Sequence, residues 1–180
     1  MFFLRSFAVA ALLSAALSAQ QGTKTEKLAP YYPTPESIVQ KMLEFGGLKK
    51  AEKMFDLGSG DGRIVSMAAQ KFGAEATGGE FDDDLWKQSS DKILSLGLEK
   101  QARIIHGDIV KQDYSSADLI TIYLLPDSNK KIRPILEKQL KSGTRVVAHD
   151  FEVAGWTTEK IQNIDDDGEG RSHTLYLYRR

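Results

Sequence analysis

The chain's 180 residues suit one domain with a sizeable core, and 41% hydrophobic against 27% charged residues is the balance of a soluble globular protein. A formal net charge of -1, with Lys and Arg scattered along the chain, excludes the overall basic field that gathers nucleic acid, and no nucleic-acid partner is expected. Cysteine is absent, which excludes disulfides, thiolate catalysis and cysteine-ligated metal and leaves the redox compartment open.

Residues 1–19 stand apart. Arg5 supplies one positive charge, Phe7 to Leu17 is Ala/Leu-rich and apolar, and Leu17-Ser18-Ala19 closes on a small residue. This is the pattern of an export signal cleaved near Ala19, or of an uncleaved N-terminal anchor. Either places the protein in an exported, periplasmic or membrane-anchored setting; cytoplasmic-side anchoring or mitochondrial targeting is the alternative. Residues 20–30 read as a linker and 31–180 as the folded domain.

Tyr31-Tyr32-Pro33-Thr34-Pro35 predicts an extended entry, with Thr34 capping a helix that begins at Pro35 and carries Ile38, Val39, Met42 and Leu43 on one face. Gly46-Gly47 ends it. The stretch Lys53 to Leu57 is an apolar-rich strand, and Ile64, Val65, Ala68, Ala69 and Phe72 form a helical stripe stopped by Gly73. Between them stands Asp56-Leu57-Gly58-Ser59-Gly60-Asp61-Gly62-Arg63. Glycines at a strand-to-helix turn allow a tight bend and a close approach of ligand to the N-H groups at the helix start. A dinucleotide fingerprint would place a glycine at Arg63, so the spacing favours a different nucleotide cofactor; a merely flexible loop is the structural alternative.

A second strand, about Glu75 to Gly79, delivers Glu80 some twenty residues beyond the glycines, where Rossmann-like folds hold the ribose hydroxyls; one more surface charge in Glu80-Phe81-Asp82-Asp83-Asp84 is the other reading. Leu85, Trp86, Ile93, Leu94 and Leu96 mark a helix ended by Gly97. Ala102 to His106 is a third strand, and Asp108 after it faces the ligand crevice as a candidate for a nucleotide base. His106 reads as a strand residue. With three histidines and no close ligand spacing among them, no metal is expected.

Asp118 to Leu125 reads as a strand buried on both faces, ending in Tyr123-Leu124-Leu125-Pro126. A helix from Ser128 to Leu140 contains Pro134 and predicts a kink or two short helices. Thr144 to Ala148 is a fifth strand, and Lys160 to Ile164 with His173 to Tyr178 form a hairpin around Asp165-Asp166-Asp167-Gly168-Glu169-Gly170. The expected fold is α/β: a Rossmann-like, doubly wound, mostly parallel seven-stranded sheet with a C-terminal antiparallel hairpin.

The acid-first glycine turn, Glu80 and Asp108 together resemble a class I S-adenosylmethionine (SAM) methyltransferase over about Lys49 to Tyr178. Tyr32 to Pro35, Asp56 to Arg63, Tyr123 to Pro126 and Gly143-Thr144-Arg145-Val146-Val147-Ala148-His149-Asp150-Phe151 are similar to the lysine methyltransferases of the ATP synthase c-subunit and the adenine nucleotide translocator, and to their prokaryotic relatives. Two departures are the export-like N-terminal segment and Ala148, where that family leads one to expect serine. The resemblance implies that Asp56, Gly58, Ser59, Gly60, Asp61 and Gly62 hold the methionyl part of SAM, Glu80 the ribose, and Asp108 with Ile109 the adenine. It implies transfer of methyl groups to a protein lysine, with a small-molecule methyltransferase or an inactive SAM-binding protein as alternatives. Tyr123, at the end of the fourth strand, is the candidate wall of the methyl-transfer pocket; a buried aromatic that only packs is its other reading.

Overall fold

The structure is a computed structural model that describes residues 31–180; the expected signal or anchor and the linker lie outside the described residues. Its elements are α1 (Glu36–Phe45), β1 (Lys53–Leu57), α2 (Arg63–Phe72), β2 (Glu75–Glu80), α3 (Asp83–Ser95), β3 (Ala102–His106), β4 (Leu119–Ile122), α4 (Pro126–Gln139), β5 (Arg145–His149), β6 (Lys160–Ile164) and β7 (His173–Arg179). The seven strands form one sheet in the order β3-β2-β1-β4-β5-β7-β6. The first five strands are parallel, and β7 runs antiparallel to both β5 and β6. This is the doubly wound sheet with an antiparallel hairpin expected from the sequence.

Period-2 alternation sends neighbouring residues of each strand into different cores. Met54, Leu119, Val147, Leu175 and Leu177 pack beneath α1, α2 and α3, where Ile38, Met42, Val65 and Ala68 are fully buried. On the other face Phe55, Leu57, Ile120, Ile122, Val146 and Ala148 meet Ile132 and Leu136 of α4 together with Tyr114, Val153 and Tyr178. Ala148 therefore sits in an apolar layer.

Four local expectations need correction. Thr34 does not cap α1: Pro35 is the cap residue without a side-chain bond, and the Thr34 hydroxyl turns inward to His149. The fourth strand is confined to Leu119–Ile122, because Leu125 and Pro126 already turn into α4. Pro134 does not divide α4, which is one helix anchored on both sides of the proline by buried Ile132 and Leu136. The helix marked by Leu85 to Leu96 ends one residue earlier, at Ser95 with Leu96 as its cap, and within it Ser89 and Ile93 are the buried residues. None of the helices among the described residues is long and apolar enough to cross a membrane.

Candidate active site

The chain leaves β1 for β2 on one side and returns to β4 on the other, so the carboxyl ends of β1 and β4 open a crevice at the switch point of the sheet. The turn after β1 closes that crevice. Its Gly58 and Ser59 N-H groups donate to the Gly79 carbonyl at 3.0 and 2.9 Å, and the Gly60 N-H donates to Glu80 Oε2 at 2.7 Å. These three donors are thus engaged inside the protein, so what the glycines offer a ligand is close approach. At Gly60, with φ +53°, a Cβ would lie 2.7 Å from the Tyr31 ring. Two glycines in β2 serve the same end. A Cβ on Gly78 would meet Ser59 Oγ at 2.5 Å, and one on Gly79 would meet Gln112 and Ile109.

The cleft is lined by Asp56, Gly58, Ser59, Gly60, Asp61, Glu80, Asp108, Ile109 and Tyr123, so every candidate residue but one faces it. Gly62 is the exception. It is the cap of α2 in a left-handed conformation, and a Cβ there would stand 3.0 Å from Ser89 Cβ, so it brings α3 against α2. Lining residues that the sequence reading missed include Tyr31, Thr34, Arg63, Phe81, Leu85 and Leu124. Nothing in their spacing marks them, because the entry segment and the α3 start reach the cleft only through packing.

Electrostatically the cleft is acidic. Burial pushes the Asp56 carboxyl up to about 7, against the pull of the Thr121 hydroxyl, which donates to it at 2.7 Å. Glu80 is buried, and its Oε1 accepts the N-H groups of Phe81 and Asp82, each at 2.9 Å. Asp61 is partly desolvated, but its bidentate pairing with Arg63 holds its carboxyl below the usual range. Arg63 also donates to the Thr34 carbonyl at 2.9 Å, which ties the entry segment to the start of α2. Asp108 caps the turn that follows β3 by accepting from the Val110 N-H.

Tyr123 lines the same cleft beside Leu124. Its ring lies 4.0 Å from the His149 ring and its hydroxyl 3.5 Å from Asp150 Oδ2. Burial, then the Asp150 charge, pushes its hydroxyl up to about 12, so at neutral pH Tyr123 carries its proton and is a donor. Behind it the β5–β7 pairing brings together His149 and His173, which are far apart in sequence. His106 is elsewhere, stacked on Trp86 at 4.7 Å and 2.8 Å from Asp83.

A cationic, nucleoside-bearing ligand fits these residues. The cleft offers four carboxyl groups against one arginine that is already paired, and the buried Ser59 Oγ finds no hydrogen-bond partner among the described residues. An open sheet with such a cleft at its switch point, floored by an acid-led glycine turn, defines a SAM-dependent methyltransferase of class I. Comparison with known proteins agrees. The model of the ANTKMT methyltransferase domain matches residues 56–160, and the chain belongs to that family. It is 39% identical over 150 residues to a protein-lysine N-methyltransferase of Saccharolobus islandicus, covering 83% of this chain and 92% of that protein. It is 28% identical to the human lysine N-methyltransferase of the ATP synthase c-subunit, over 83% of this chain and 60% of the human one. A solved structure described as an RNA methyltransferase from Salinibacter ruber, with S-adenosyl-L-homocysteine bound, superposes with a TM-score of 0.75 at 39% identity, over 82% of this chain and 93% of that one. The cofactor is SAM.

Proposed function

We propose that the protein transfers methyl groups from SAM to the Nζ of a lysine side chain on a protein. The observation that carries this reading is the acidic, aromatic-edged cleft: Asp56, Asp61, Glu80 and Asp108 lie inside, and Tyr31, Tyr32 and Tyr123 line it. The aromatic faces favour an approaching ammonium, and the carboxylates behind them repel the phosphates of a nucleic acid. The names carried by the Saccharolobus and human relatives point the same way. In this reading Asp56 and the turn Gly58–Asp61 hold the methionyl part of the cofactor, Glu80 the ribose hydroxyls, and Asp108 with Ile109 the adenine, while Gly62 packs against α3.

SAM supplies a methyl group already activated on a sulfonium, so the chain has to align the amine, keep water out and let the ammonium lose its proton. Desolvation beside Tyr123 and Leu124 favours the neutral amine. Tyr123, which keeps its proton, accepts or donates one hydrogen bond that orients the nitrogen; it is not the base. We further propose that residues 1–19 export or anchor the enzyme, which mass spectrometry of its native N-terminus checks directly.

RNA is the second reading, on the description of the Salinibacter structure. Incubating purified protein and methyl-labelled SAM with cell lysate decides between them. Label in protein that digests to methyl-lysine supports the proposal; label only in nucleic acid, or only in small extractable metabolites, overturns it.

A further inference from the structure

Beside the SAM cleft, three donor atoms converge. His149 Nε2 lies 2.9 Å from His173 Nδ1, and Asp150 Oδ2 lies 3.3 Å from the first and 3.2 Å from the second. In a tetrahedral zinc site with bonds of about 2.0–2.1 Å, neighbouring donors stand roughly 3.3 Å apart, so the three atoms already mark three corners of such a shell. Hydrogen bonds join these atoms two at a time, whereas one ion among them meets all three at once; the Tyr123 hydroxyl also stands 3.5 Å from Asp150 Oδ2.

The far side of each donor group is held. His173 Nε2 lies 3.2 Å from Asp167 Oδ2, His149 Nδ1 lies 3.3 Å from the Thr34 hydroxyl, and Asp150 Oδ1 accepts the Thr174 N-H at 2.9 Å. Outer partners of this kind are what fix the tautomer and direction of metal-ligating groups. Asp167 is itself fixed in place: its Oδ1 accepts the Glu169 and Arg171 N-H groups at 2.8 and 3.2 Å, and its Oδ2 accepts from the Arg171 guanidinium at 2.9 Å. Set against that carboxylate, Nε2 is the donor side of the His173 ring, which turns Nδ1 toward the triangle. Asp150 takes up φ +57°, a left-handed conformation that a non-glycine residue rarely adopts, with its carboxylate between the two rings. Both histidines are buried, whereas the Asp150 side chain is 26% exposed and leaves a way in.

We propose that His149 Nε2, Asp150 Oδ2 and His173 Nδ1 bind one divalent ion of the zinc class. The ion takes the place of the proton between the two rings: neutral His149 changes tautomer, its one proton passing to Nδ1, from which the Thr34 hydroxyl then accepts, so no net proton is lost from the ring. The site joins the ends of β5 and β7 to the Asp165–Gly170 turn and lies behind the Tyr123 ring. It does not depend on which substrate the enzyme methylates.

The test uses tag-free protein stripped with a chelator, then titrated with zinc by calorimetry and with cobalt by visible absorption. The expected result is one equivalent, with the visible bands of a four-coordinate cobalt site. Asp150→Asn, nearly isosteric, and His173→Ala should each weaken zinc by about a hundredfold or more. Asp167→Asn removes no ligand and should still weaken it by roughly ten- to a hundredfold through the freed His173 ring. Less than one equivalent on the stripped parent overturns the proposal. So does unchanged affinity in a folded Asp150→Asn protein, which would place the ion elsewhere.

Discussion

Asp56 shows how a single side chain couples cofactor to stability. Its carboxyl is raised from 3.8 to about 7 by burial, so in the ligand-free protein it holds a proton across a range where the unfolded chain has lost it. A raised acid contributes most below its unfolded value, and that contribution is lost as pH climbs to about 7, by up to roughly 4 kcal/mol. Asp56→Asn should therefore raise the melting temperature of the ligand-free protein at pH 8, by differential scanning calorimetry. SAM, a cation, meets the ionised form better, so its affinity should rise from about pH 5.5 to about pH 7.5 in the parent and stay level in the variant. Tyr123 gives a second test. Tyr123→Phe should fold, bind SAM within about threefold of the parent and lose on the order of tenfold in turnover, the size of one hydrogen bond. Unaltered turnover would return Tyr123 to a packing role. Glu80 is more entangled than a ribose ligand alone, since its carboxylate also accepts three backbone N-H groups. Glu80→Gln keeps an acceptor and should weaken SAM by about 1–3 kcal/mol in calorimetry, whereas Glu80→Ala should lose stability as well.

At the scale of elements, the glycine turn and β2 form one unit. Gly78 has ordinary backbone angles and is glycine because Ser59 and Ile104 occupy the space of its side chain. Gly78→Val should thus displace the turn and abolish SAM binding from one strand away. Gly60→Val adds both a side chain at φ +53° and a collision with Tyr31, so binding should be lost there too. The measurement is the thermal shift with S-adenosylhomocysteine. At about a hundred times its dissociation constant the parent gains roughly 2.7 kcal/mol, a rise of several degrees, and neither variant should move. A normal shift in folded Gly78→Val would sever the turn from β2.

For the whole molecule, the sequence by itself determined the order and type of the elements and the floor of the cleft. Alternating and 3.6-residue apolar patterns are local signals, and so are an acid-led glycine turn and acids just beyond strand ends. Asp56, the glycines, Glu80 and Asp108 were legible for that reason. Their convergence on one cleft follows from the parallel order of the sheet, which places successive strand ends on the same edge. What only the tertiary structure decided are contacts between residues remote in the chain. Thr34 reads as a helix cap until β5 presents His149 to it, and Gly62 reads as a ligand contact until α3 packs upon it. The same holds for His149 and His173. Their 24-residue separation has no ligand spacing, and they meet because β7 inserts between β5 and β6 in a register that sets His149 opposite Leu175, two residues along the strand from His173. Strand register is a property of the packed sheet and of the turn that closes it, and no local pattern in the chain encodes which distant side chains it will bring together.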